Sequence, residues 1–138
     1  MVITRYLLDT NTISDPSKTV PNLGISRRLR QHGDEVAIAA PVWHELRFGV
    51  ERLPPSKKRQ KIEDYLRTVQ TIPVLAYDEA AADWHARERA RLESLGKTPP
   101  FVDGQIAAVA RVHQLIVVTS NVSDFEVFDE IEIEDWRE

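Results

Sequence analysis

Short apolar runs alternate along this chain with longer stretches whose apolar residues recur every three or four positions. Tyr6, Leu7 and Leu8 form the first run. It ends abruptly in Asp9, Thr10 and Asn11, types that favour turns and caps, which predicts a buried strand followed by a loop, with Asp9 at the strand's carboxyl end. Leu23, Ile25 and Leu29 space a helix over 22–32 that Gly33 stops, and Val36, Ile38 and Ala39 read as a second buried strand. Pro41 suits the start of the next helix, because a first-turn position has no hydrogen bond to lose. Val42, Leu46, Gly49, Val50 and Leu53 share its apolar face, His44, Arg47 and Glu51 lie opposite, and Glu45 borders the apolar side.

Pro54 and Pro55 end that helix, and Ser56 caps a basic one over 56–70 with Ile62, Tyr65, Leu66 and Val69 as its buried stripe. A third strand follows at 74–76. Asp78 caps a long helix reaching Leu95, Gly96 supplies a left-handed stop, and a proline-containing loop covers 97–102. Asp103 then opens a helix through Ile106, Ala107, Ala108, Val109, Ala110 and Val112 that is apolar nearly all round, as central helices are. The strand at 115–118 again ends in polar residues, Thr119, Ser120 and Asn121. Strands alternating with helices predict an α/β fold with a mostly parallel central sheet and helices on both faces. No repeat, linker or low-complexity segment interrupts this order.

The length of 138 residues fits a single domain over 1–138, and a hydrophobic content of 42% supplies one core. No apolar run approaches the roughly 20 residues that span a bilayer. An acid as early as Asp9 breaks any signal-peptide pattern, so a cytoplasmic protein is expected. The absence of cysteine excludes disulfides, thiolate zinc sites and thiol nucleophiles, leaving carboxylates and histidines to hold any metal. Lys and Arg number 18 against 22 Asp and Glu, a net charge of -4 that argues mildly against a polyanionic partner. Basic residues are nevertheless grouped, at Arg27, Arg28 and Arg30, at Lys57, Lys58, Arg59 and Lys61, and at Arg87, Arg89 and Arg91, and read first as solvated helix faces.

In open parallel sheets, ligands bind beyond the carboxyl ends of the strands. Asp9 follows the first strand, the polar segment 119–124 follows the last, Asp103 begins the helix leading into that strand, and Glu45 lies one turn into a helix that follows another strand end. The topology can therefore bring Asp9, Glu45, Asp103 and Asp124 to one rim. Singly, each has an ordinary explanation: Asp9 and Asp103 as caps stabilising by about 1 kcal/mol, Glu45 as a solvated helix residue, Asp124 as a loop acid. Together, four carboxylates at one rim repel unless cations hold them. An all-oxygen donor set selects magnesium or manganese, and phosphodiester hydrolysis is its natural use. Thr10, Asn11, Thr119 and Asn121 are suited to holding carboxylates or waters in place. His32, His44, His85 and His113 show no ligand spacing.

The segments Leu7-Leu8-Asp9-Thr10-Asn11, His44-Glu45-Leu46-Arg47-Phe48-Gly49, Phe101-Val102-Asp103-Gly104-Gln105-Ile106-Ala107 and Val118-Thr119-Ser120-Asn121 with Asp124-Phe125 stand in an order and spacing that resemble the PIN-domain ribonucleases. The likeness is specifically to VapC-like toxins of type II toxin-antitoxin pairs, and it covers essentially the whole chain. It implies a PIN-like three-layer fold and a magnesium-dependent endoribonuclease in which manganese can substitute. It also implies that Asp9 and Asp103 are the principal metal ligands, that Glu45 completes an acidic triad, and that the fourth acid is Asp124, with Glu126 and Asn121 as less favoured substitutes. The expected partners are an RNA substrate, a cognate antitoxin whose tail covers the acidic groove, and a second toxin copy, with a larger toxin-antitoxin complex as a further assembly. The basic groups on the helices from Asn22 and Ser56 could line the groove's shoulders while magnesium neutralises its floor.

Two other classes are weighed against this one. Receiver-type signalling domains carry paired acids after the first strand and a Lys after a late strand, whereas here Asp9 stands alone and Ser120 and Asn121 follow the last strand. A non-catalytic PIN-fold interaction module would not need the complete acid set, and incubation with magnesium and RNA separates it from a nuclease.

Overall fold

The apolar runs become the strands of one sheet: β1 (Tyr6–Leu8), β2 (Val36–Ala39), β3 (Val74–Leu75), β4 (Ile116–Val118) and β5 (Ile133–Glu134), in the order β3-β2-β1-β4-β5. This is a computed structural model describing residues 3–137. Met1, Val2 and Glu138, which the single-domain expectation over 1–138 includes, lie outside the described residues. Every pairing is parallel, with Tyr6 beside both Val36 and Ile116, Leu8 beside Val118, Ile38 beside Val74, and Val117 beside Ile133. All of β1 and β2 is buried, because helices cover both faces of the sheet. That is why these strands read as continuous apolar runs rather than as alternating ones.

The described residues form seven α-helices: α1 (Thr10–Ser14), α2 (Leu23–His32), α3 (Ala40–Glu51), α4 (Lys57–Val69), α5 (Glu79–Ser94), α6 (Phe101–His113) and α7 (Val122–Phe125). The expected caps are in place: Asn22 accepts from the Ile25 N–H at 3.1 Å, Ser56 from Arg59 at 3.1 Å, and Asp78 from Ala81 at 3.0 Å. Gly96 takes a φ of +75° just past α5, a region that costs glycine nothing. Helix α6 is the central one, with Gly104 and every residue from Ile106 to Ala110 buried.

Three local features differ from the sequence expectation. Asp9 is followed by α1 rather than by a loop, since its side chain caps that short helix. Helix α6 starts at Phe101, with Pro100 in the capping position, so Asp103 is its third residue and not its cap. The proline's fixed φ makes it a ready helix entry. Helix α7 and strand β5 were unannounced, because four and two residues are too few to establish a period. They are nonetheless anchored, as Phe125 is fully buried.

The strand order reverses between β1 and β4, which puts the topological switch point at their carboxyl ends. Asp9 follows one of these strands directly, and Thr119 follows the other.

Candidate active site

Asp9 is 4% exposed and held on every side. Its backbone N–H donates to the Val118 carbonyl at 3.0 Å, extending the β1–β4 ladder by one residue. Its Oδ1 accepts from the Thr12 N–H at 2.8 Å, and its Oδ2 accepts from the Thr119 hydroxyl at 2.5 Å. Thr119 is itself fully buried and accepts from the Asn121 N–H at 2.9 Å, while the Thr12 hydroxyl donates to the Val118 carbonyl at 3.3 Å. The switch point thus carries a carboxylate of fixed orientation. Of the four supporting residues picked from sequence, Thr119 holds Asp9 directly and Asn121 contributes through its backbone N–H. Thr10 and Asn11 make no side-chain hydrogen bond to the acids among the described residues. Thr12, which sequence reasoning missed, supplies the backbone N–H that the Asp9 side chain caps, and its position three residues after an Asp is the signal that could have found it.

Asp103 presents a contrasting carboxylate. In the first turn of α6 it stands where the helix dipole favours negative charge. Among the described residues its side chain accepts no hydrogen bond and forms no ion pair. Burial, followed by the charges of Asp124, Asp9 and Glu45, pushes its pKa up from the ordinary 3.8 to about 6. Acids carried by the end of β1 and by α3, α6 and α7 therefore share one field, with no cation among its sources. The side chains of Glu45 and Asp124 are exposed and, among the described residues, likewise without a hydrogen bond or ion pair. Glu126 and Asn121 do not enter the field on Asp103.

The turn that carries Asp103 is wedged from behind. A Cβ at Gly104 would stand 2.2 Å from Nε2 of His85, so only glycine lets α6 approach α5 this closely. The His85 ring is buried, 2.7 Å from the Tyr77 hydroxyl through Nδ1 and 4.8 Å from the Phe101 ring. Burial, with Arg89 adding to it, lowers its pKa, so it serves as a neutral packing group. Gly104→Ala is expected to cost about 1–3 kcal/mol through overpacking, more than the helix-propensity gain of up to about 1 kcal/mol. The melting temperature should fall by a few degrees, and an unchanged value would show that the ring yields freely.

Among the described residues, no three His, Asp or Glu side chains already close into a finished metal cage. A hard cation such as magnesium needs fewer, taking one or two carboxylates and completing its shell with water and substrate oxygens. The all-oxygen donor set here, which forms no ion pair among the described residues, fits it. No histidine enters the field on Asp103: His32 pairs with Glu35, His85 packs against Gly104 behind the turn, and His44 and His113 are exposed. Among the described residues, no helix is long and apolar enough to cross a membrane.

Comparison with known proteins gives concordant matches. The family described as PIN domain matches residues 6–131. The chain is 31% identical to Toxin FitB of Neisseria gonorrhoeae, covering 96% of this chain and 99% of that protein. It is 32% identical to the tRNA(fMet)-specific endonuclease VapC of Shigella flexneri, with 96% and 98% covered. The DNA-bound VapBC structure from Salmonella typhimurium superposes with a TM-score of 0.85 at 30% identity, over 96% of this chain and 98% of that one.

Proposed function

The chain belongs to the PIN-domain family, and from that premise we propose that it is a VapC-type endoribonuclease, the toxin of a toxin-antitoxin pair, cutting RNA at Asp9, Glu45, Asp103 and Asp124 with magnesium. One observation supports the reading: carboxylates from four separate elements share one electrostatic field at the switch point, where, among the described residues, Asp9 alone of the four has hydrogen-bond partners. In this reading Asp9 and Asp103 hold the cation. When bound, it supplies positive charge that lowers the pKa of a bound water and offsets charge gathering on the phosphate.

The chain's own groups do the rest. The Thr12 N–H and Thr119 hydroxyl keep Asp9 from turning, so its remaining lone pairs face one direction. Asp103, which accepts no hydrogen bond among the described residues, gives up no protein partner when it takes a ligand. Glu45 and Asp124, at the exposed edge, orient the attacking water and accept its proton. The partner is a cognate antitoxin that brings a cation-bearing side chain into this acidic floor, and a second copy of the toxin completes the assembly.

Incubation of the purified, partner-free protein with RNA tests the proposal. Cleavage is expected with magnesium or manganese, none in EDTA, and silencing on addition of the small protein encoded next to it. Cleavage undiminished by EDTA would reject the metal site, and a neighbour that neither binds nor silences would reject the toxin-antitoxin pairing.

A further inference from the structure

The carboxylate at the end of β1 depends on a helix too short to stand alone. Asp9 is aimed by two bonds, one from the Thr119 hydroxyl beside it in the sheet and one from the Thr12 N–H in α1. The second is only as steady as α1 itself, and five residues fall well below the length at which an isolated helix persists in water. Its far end must be held by something else. Most carbonyls there are satisfied by near neighbours: Asn11 accepts from the Ser14 hydroxyl at 3.3 Å, Thr12 from the Asp15 N–H, and Ser14 from the Ser17 hydroxyl at 2.6 Å. Ile13 breaks the series. The amide that would come next belongs to Pro16, which has no N–H, and Ile13 is 1% exposed, so water has little access to its carbonyl. The donor comes from α4, 52 residues along the chain, where the Tyr65 hydroxyl donates to that carbonyl at 2.5 Å.

Burial, with the charge of Asp15 adding to it, pushes the Tyr65 phenol up to about 12, so at neutral pH the hydroxyl keeps its proton and remains a donor. Asp15 is itself fixed. It is 4% exposed, accepts from the Asn22 N–H at 2.7 Å and pairs with Lys18, which steadies the turn Asp15–Ser17 that follows α1. Helix α4 packs on that turn and on α3, the helix that carries Glu45. From Ile13 the path to the acid is short, since its N–H donates to the Asp9 carbonyl at 3.1 Å and the residue before it caps the Asp9 carboxylate. We infer that Tyr65 is a positioning residue for the reaction, its hydroxyl keeping α1 wound so that the Thr12 N–H stays on Asp9 and the carboxylate holds its orientation. Among the described residues it makes no hydrogen bond to any of the four acids, so it acts through α1. The inference rests on the nuclease reading above and deepens it.

The test sets Tyr65→Phe, which keeps the ring and loses only the hydroxyl, against Val69→Ala, which trims a buried side chain one turn further along α4. All readings are taken well below the melting temperatures. In metal-free protein, hydrogen exchange at the Thr12 amide, taken relative to that at Leu7 in the sheet so that global opening cancels, should quicken about 10-fold in Tyr65→Phe and stay unchanged in Val69→Ala. Manganese binding without RNA, followed by paramagnetic resonance of the free ion, should weaken about 10-fold in Tyr65→Phe, the low end for a group that orients a metal ligand from outside. On an RNA oligonucleotide, kcat should fall by a similar factor with KM unchanged, because no contact with RNA is lost. A purely structural role would lower the melting temperature in both variants and move none of these readings. Wild-type exchange, manganese affinity and kcat in Tyr65→Phe would overturn the inference, and so would losses that Val69→Ala reproduces. A wild type that binds manganese without cutting RNA fails the nuclease reading, and the exchange and manganese readings then decide Tyr65 by themselves. A wild type that cuts RNA beside an unaltered Tyr65→Phe keeps that reading and rejects the positioning role.

Discussion

Asp103→Asn is expected to leave RNA uncut while the fold survives. The substitution removes one charge from the shared field and changes the side chain's shape hardly at all. Because Pro100 rather than Asp103 occupies the capping position, no helix-start hydrogen bond is lost. Turnover should fall further than the roughly 10- to 100-fold typical of a group one layer out from a metal, and Thr119→Val supplies that comparison, since it removes only the hydroxyl that orients Asp9. Asp9→Asn should also abolish cleavage, but with a penalty in stability. With its one oxygen kept on the Thr12 N–H, the amide turns its NH2 to the Thr119 hydroxyl, which loses its charge-assisted acceptor and must accept from both that NH2 and the Asn121 N–H. Asp103→Asn is therefore the cleaner test. Turnover rates and circular dichroism on the same samples decide it, and near-wild-type cleavage by Asp103→Asn would remove that residue from the chemistry.

Relative to Asp103→Asn, metal-free wild type is expected to lose stability between about pH 4 and about pH 6. The pKa of Asp103 in the folded state, about 6, lies above its ordinary 3.8, so within this window the folded chain holds a proton that the unfolded chain has released. With more protons bound in the folded state, stability falls as pH rises, and it levels off once the folded carboxyl has ionised. The acid's contribution is thus favourable at low pH and lost as pH passes its folded pKa, the reverse of a salt-bridged carboxylate. Asp103→Asn removes this slope, so above pH 6 the metal-free mutant should be at least as stable as wild type. Urea midpoints across pH 4–8 in EDTA measure both. A wild type that gains stability through this window relative to the mutant would show that the carboxylate is compensated by a favourable partner.

The sequence made the main architecture legible because its strongest signals are long. The apolar run of β1 and the all-round apolar α6 needed no tertiary information, and the stop at Gly96 followed from conformational preference. Asp9 and Thr119 could be placed at strand ends, but the hydrogen bond joining them spans 110 residues and no local pattern encodes it. Asp103 read locally as a helix cap because prolines are ordinarily loop residues, whereas Pro100 in fact initiates the helix. The field linking Glu45 and Asp124 to Asp103 could be expected from topology alone, yet the partial burial that sharpens it depends on packing. The close approach of Gly104 to His85 is likewise a tertiary fact, since α5 and α6 set it between them.

The claim that these acids form a divalent-cation site is tested most directly by melting wild type and Asp103→Asn side by side at neutral pH in EDTA, magnesium and manganese. Ionic strength is held fixed so that general screening cannot imitate binding. An ion that binds only the folded state stabilises it by RT ln(1 + [L]/Kd), about 2.7 kcal/mol at a hundredfold excess over Kd. The site proposed here predicts a metal-dependent rise in the wild-type melting temperature and loss of most of that rise in Asp103→Asn. Equal shifts in the two proteins, or no shift in wild type with millimolar metal either alone or with a non-cleavable oligonucleotide supplying phosphate, would contradict it.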